Sequence, residues 1–171
     1  MRTFRKYFNM LAMVIGIFVL TLGCTQKPSE KIVSGEELIF KESNPVGSHY
    51  AERAFDKKID ADDFWESEKY PIWLQIEFKD KKVKKISKYS LQAGPLETQR
   101  MPMDWQLQGS NDGTTWKDLD VQKNQVEWKV NEERTYTVAK PAAYKVYRLY
   151  FISGNKPDDT LVRIYEINLF E

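Results

Sequence analysis

The chain has 171 residues, 42% hydrophobic and 30% charged, a globular composition that excludes a disordered or collagen-like polymer. The formal net charge is +1, and leaving out residues 1–23, which hold Arg2, Arg5 and Lys6 but no acid, leaves 23 basic against 25 acidic residues. That balance argues against a nucleic-acid partner, while a single Cys and a single His exclude an internal disulfide, a multi-Cys zinc site and a His-rich metal centre.

The N-terminus reads as an address. A basic segment precedes an apolar run from Leu11 to Leu22, broken only by Gly16 and Thr21. The run is too short for a full span and has the order of a secretion signal. It ends in Leu20-Thr21-Leu22-Gly23-Cys24, which resembles a bacterial lipoprotein signal, with Thr21 in the place of the usual aliphatic residue. Residues 1–23 are therefore expected to be a signal peptide, and Cys24 the lipidated residue. Residues 24–35 follow as a polar tether. Acyl chains on Cys24 would hold the protein on a membrane, each buried CH₂ adding roughly 0.8 kcal/mol. Thr25 is not the Asp that marks inner-membrane retention, so a cell with two membranes would place the protein on the outer one.

Residues 36–171 form one domain, and from residue 70 on they read as strands. Ala51 to Phe55 could make one helical turn, and Lys57 to Asp63 reads as a charged loop. Ile72–Phe78 alternates, and Val83–Leu91 does so more loosely. Trp105-Gln-Leu-Gln leads into Asn111-Asp112-Gly113, a hairpin signal, and then a short Thr115-Trp116 strand. Val126–Val130 and Arg134–Val138 alternate, and Lys145–Ile152 and Leu161–Phe170 are the longest β-rich runs. Seven or eight such strands predict an antiparallel sandwich or barrel. Trp73, Trp105, Tyr147 and Phe151 are expected in its core, and Trp105 and Trp116 are expected on paired strands.

Several segments together resemble a known family. In order they are Ala54-Phe-Asp56, Asp63-Phe-Trp65, Trp73–Phe78, RMPMDWQLQGSNDGTTW from Arg100 to Trp116, Tyr147–Phe151 and Ile164–Phe170. They resemble the discoidin or coagulation factor V/VIII type C domain, whose fold includes the family 32 carbohydrate-binding modules. The resemblance implies an all-β, eight-stranded antiparallel jelly-roll sandwich with ligand-binding loops at one end. It also implies a structural calcium ion near the Ala-Phe-Asp loop. Asp56 and Glu166 match that family pattern, Asp63 stands where Thr is common, Asp60 lies between, and Lys57 replaces a Gly. Lys57 and Lys58 could instead neutralise these acids directly. Galactose-binding members read the sugar with a His, an Arg and a stacking aromatic. Arg100 resembles that Arg, though a structural ion pair is an alternative role for it. No His follows Trp65. The sole His, His49, lies upstream of Asp56 on a different loop, so the chain departs from the galactose pattern, and the candidate ligand contacts are His49, Tyr50, Glu66, Tyr70 and Arg100.

The chain carries no nucleophile elbow, Gly-rich phosphate loop or His-Glu-x-x-His, and no placed carboxylate pair. A non-catalytic module at the cell envelope is expected. Its partner would be a glycan or, where the fold serves only as a scaffold, an envelope protein.

Overall fold

The computed structural model describes residues 30–156 and 158–171. The signal segment, Cys24 and the first part of the tether lie outside the described residues. Among the described residues no helix is long and apolar enough to cross a membrane.

Eight strands build two facing antiparallel sheets. Strands β1 (Leu38–Glu42), β3 (Ile72–Phe78), β10 (Val146–Gly154), β6 (Pro102–Ser110) and β7 (Lys117–Gln122) lie side by side in that order. Strands β12 (Glu166–Phe170), β5 (Lys88–Gln92) and β8 (Glu133–Thr137) form the opposing sheet. Two short ribbons complete the jelly roll. One pairs β2 (Trp65–Glu68) with β11 (Leu161–Ile164), the other β4 (Lys84–Lys85) with β9 (Ala143–Tyr144).

Period-two alternation explains the central strands. Ile72, Leu74, Ile76 and Phe78 of β3 are buried, so the odd positions point away from the core. Trp73 is therefore only half-buried, on the outer face, contrary to its expected core role. Trp105, Tyr147 and Phe151 are fully buried as expected. The 3-10 turn Ala51–Ala54 matches the predicted helical turn.

Three further expectations are corrected. Thr115-Trp116 is not a strand. Ser110 Oγ accepts the N–H groups of Asp112 and Gly113, and Asp112 Oδ1 accepts those of Thr114 and Thr115. These bonds extend the turn, Gly113 supplies a φ of +73°, and β7 begins at Lys117. Trp116 consequently does not pair with Trp105. Val126–Val130 is a loop, because Asn124, Glu127 and Asn131 all take positive φ, which interrupts an extended chain. Its Trp128 still reaches the core and donates to the carbonyls of Pro102 and Gln125. The run Leu161–Phe170 divides at Tyr165, so its first half joins β2 and its second half joins β5.

Candidate functional site

One end of the sandwich gathers the loop before β2, the starts of β3 and β6, the end of β10 and the ribbon β2–β11. Register places Arg163 directly across from Glu66. Glu66 is only 4% exposed, and a carboxylate at that depth needs charged partners. It has two. Its Oε1 accepts Arg163 Nε at 2.9 Å and Arg100 Nη1 at 3.1 Å. Arg100 ends the 3-10 turn Thr98–Arg100, and its Nε donates to Asp159 Oδ2 at 3.2 Å. Burial pushes the Asp159 carboxyl upward, but the Leu161 N–H, Lys156 and Arg100 outweigh it and hold the group below its usual range.

Aromatic contacts continue the cluster. The Arg163 guanidinium sits 3.8 Å from the Phe64 ring centre, and His49 stacks on Phe64 at 4.0 Å with planes 13° apart. The His49 carbonyl accepts the Glu66 N–H, while His49 Nδ1 is buried without a hydrogen-bond partner. The Tyr70 hydroxyl donates to the Leu161 carbonyl at 3.0 Å, and burial raises its pKa. Gly154 makes room for it, since a Cβ there would stand 2.5 Å from the Tyr70 hydroxyl. Tyr50 stays on the surface, 51% exposed.

Of the five expected contact residues, the structure thus joins His49, Glu66 and Arg100 in one network. Tyr70 docks on the start of β11 beside it, and Tyr50 remains a surface side chain. Phe64, Arg163 and Asp159 were missed. Arg163 lies 97 positions from Glu66, and no local pattern announces such a pairing. Chemically, Glu66 and Arg163 are spent on each other. Arg100 commits Nε and Nη1, and its Nη2 has no protein acceptor among the described residues.

The acidic stretch of residues 56–63, in the loop before β2, is arranged differently. Asp56 Oδ2 meets Lys58 Nζ at 3.0 Å, and Asp63 Oδ2 meets the same ammonium at 3.7 Å. Arg53 Nη1 reaches Asp63 Oδ1 at 3.3 Å and the Asp62 carbonyl at 2.7 Å. Asp60 lines the same recess. Glu166 makes no contact with Lys58; its Oε2 accepts the Lys57 N–H at 2.8 Å, and the Asp56 charge still reaches it. Lys57 keeps a φ of 66°, the left-handed geometry that the glycine of the family pattern would take freely. Among the described residues no three His, Cys, Asp or Glu side chains are grouped to hold a metal. Calcium takes six to eight oxygens. The donor set in this arrangement does not fit it, since Lys58 already supplies the positive charge. Millimolar calcium is therefore expected to leave the melting temperature unchanged. Lys58→Met, which leaves Asp56 and Asp63 facing each other, should make it rise with calcium. A differential scanning fluorimetry titration reads both. A calcium response in the unsubstituted chain would refute the assignment to Lys58.

Comparison with known proteins places this architecture. The F5/8 type C domain model matches residues 40–167. No curated protein matches the chain in sequence. Solved structures match in fold. The module CpGH89CBM32-5 from Clostridium perfringens, in complex with GalNAc-β-1,3-galactose, superposes with a TM-score of 0.68 at 14% identity, covering 82% of this chain and 100% of its own. The family 32 carbohydrate-binding module of C. perfringens NanJ, in complex with galactose, gives 0.65 at 18% identity over 83% and 99%. An F5/8 type C domain from Bacteroides fragilis gives 0.67 at 16% identity over 85% and 98%. Identities this low speak to the fold alone. The family model spans most of the chain, and with the jelly roll it shows that the chain belongs to the F5/8 type C domain family.

Proposed function

We propose that the protein is a non-catalytic glycan-binding module, held at the bacterial envelope by acyl chains on Cys24, on the outer membrane where the cell has two. The observation that carries the binding reading is Arg100. Three carboxylates, Glu66, Asp159 and Glu97, hold its guanidinium at the loop end, while Nη2 has no protein partner among the described residues. A donor held rigid in this way loses little entropy when it meets a sugar hydroxyl. Tyr50 offers an exposed ring for a sugar face. Relatives with this fold were solved with galactose and with GalNAc-β-1,3-galactose.

A second reading has its own observation. Glu66, Arg163, Asp159 and Lys156 are all paired with one another or with Arg100, so most of the cluster's charge is consumed internally. That favours a scaffold that meets an envelope protein and binds no sugar.

A glycan-array screen of the purified full-length chain in detergent separates the two. Arg100→Lys keeps the charge but loses the planar fork. It is expected to weaken binding about tenfold, a loss of one charge-assisted bond, in a protein that still melts cooperatively. Tyr50→Ala should weaken binding without any change in melting. Silence of the folded protein on every glycan would sink the sugar reading.

A further inference from the structure

The five-stranded sheet turns a second face outward, and its residues differ from those of an ordinary solvated sheet. The chain has five tryptophans. Three are buried with the indole N–H bonded, Trp65 to Glu42, Trp105 to Tyr89, and Trp128 to Pro102 and Gln125. The other two, Trp73 and Trp116, are half-buried on this outer face, and neither indole N–H has a protein acceptor among the described residues. Tyr150 shares the face, and its hydroxyl has no protein partner either.

The arginines divide in the same way. Arg53, Arg100, Arg134 and Arg163 each have a carboxylate within 4.0 Å. Arg148 has none among the described residues. Its Nε donates to Gln108 Oε1 at 2.6 Å. Its guanidinium lies 4.2 Å from the Trp116 ring centre and 4.9 Å from that of Tyr150. These contacts hold the fork flat against aromatic faces and leave both Nη groups without a hydrogen bond. The acid nearest in register, Asp118, accepts from the Gln108 amide at 2.7 Å and acts on Arg148 through its charge but forms no ion pair with it.

Register fixes how these groups line up. Trp73, Tyr150 and Gln106 lie directly across from one another on β3, β10 and β6. Gln75, Arg148 and Gln108 form the next row, one pleat repeat away. Neighbouring strands are about 4.8 Å apart and the rows about 7 Å apart, so aromatic planes and polar groups alternate at the scale of linked sugar rings. A protein partner with an apolar surface would bury two indole N–H groups, a phenol, the Gln75 amide and a guanidinium without acceptors, each at a cost. Sugar hydroxyls satisfy such groups, and sugar C–H faces cover the rings. The unpaired cation selects for a negative charge on the sugar.

We propose that this outer sheet face is a second ligand surface, which binds a carboxylate-bearing polysaccharide with sugar rings on Trp73 and Tyr150 and a uronate carboxylate forked by Arg148. It goes beyond the loop-end reading and does not depend on it, since no residue is shared.

The test uses the full-length chain and two forms of one polymer, oligogalacturonate and its methyl ester. Titration calorimetry is expected to give binding to the acid form at least about tenfold tighter than to the ester, because esterification removes the charge and caps one carboxylate oxygen with a methyl while leaving the sugar rings unchanged. Arg148→Gln should abolish that preference. Trp73→Ala, across the sheet from Arg148's aromatic partners, should weaken both forms. Arg100→Lys at the loop end should change neither, which keeps the two sites separable. No binding of the acid form by the folded protein, or equal binding of acid and ester, would overturn the proposal. So would a dimer on size-exclusion chromatography that Trp73→Ala converts to monomer, since a second copy would then cover the face.

Discussion

Removing one oxygen atom, in Tyr89→Phe, is expected to destabilise the domain by about 3 kcal/mol. The hydroxyl joins the two sheets. Tyr89 belongs to β5, and its oxygen accepts the Trp105 indole N–H from β6 at 3.0 Å while donating to Asp120 Oδ2 of β7 at 2.8 Å. Gln122 Nε2 reaches the same carboxylate oxygen at 2.8 Å. Burial, with the Asp120 charge beside it, raises the Tyr89 pKa and keeps the phenol protonated as a donor. Phenylalanine fills the same space and keeps the ring contacts with Tyr136 at 5.2 Å. It leaves a buried indole N–H without an acceptor and a buried carboxylate with one bond fewer. Each orphaned group costs about 1–3 kcal/mol. For a domain of this size the melting temperature should fall by about 10 °C. Tyr136→Phe is the control, because its hydroxyl donates a long bond to Gln125 Oε1 at 3.3 Å and orphans no buried partner, and it should cost about 1 kcal/mol or less. Urea unfolding followed by tryptophan fluorescence measures both. Equal losses in the two variants would mean that the network carries no special weight.

That network also shows which parts of the fold are legible in a single chain. Strands buried on one face announce themselves, as in β3 and β10, because apolar residues recur at every second position. Strand β1 hides. Ile39 faces outward between buried Leu38 and half-buried Phe40, so Leu-Ile-Phe reads as a run without a period. Strand β2 hides for the opposite reason. Trp65-Glu-Ser-Glu looks like a charged loop, yet Trp65, Glu66 and Ser67 are all buried, because β11 and Arg100 bring the partners that make burial of Glu66 tolerable. The loop at Val126–Val130 alternates as a strand would, and only its positive-φ residues reveal otherwise. The site follows the same rule. Arg100 could be found from a family pattern carried on local sequence. Arg163 and Asp159 reach Glu66 and Arg100 only through long-range pairing. The outer-face arginine was legible neither way, since what distinguishes Arg148 is a missing carboxylate, a property of the folded chain.

Glu166→Gln is expected to flatten the pH dependence of stability and to stabilise the domain by about 2–3 kcal/mol near pH 9. Glu166 opens β12 and is only 5% exposed. Burial pushes its carboxyl up to about 8, the Lys57 N–H pulls against this, and the charges of Asp56 and Glu133 push further. In the unfolded chain a glutamate titrates near 4.3. Between these values the folded protein holds a proton that the unfolded chain has released. The stability from this group is therefore complete below about pH 4.5 and is lost as pH rises through about 8. Glutamine keeps an oxygen for the Lys57 N–H and carries no charge to desolvate. The two proteins should accordingly melt alike near pH 5 and diverge as pH rises, the variant being the more stable. Parallel melting curves from pH 5 to pH 9 would show that Glu166 titrates normally. The same series tests the loop behind it. A calcium ion held by Asp56, Asp63 and Glu166 would need Glu166 ionised, and would restore the unsubstituted protein at pH 9. With Lys58 already between Asp56 and Asp63, calcium should leave the high-pH loss in place.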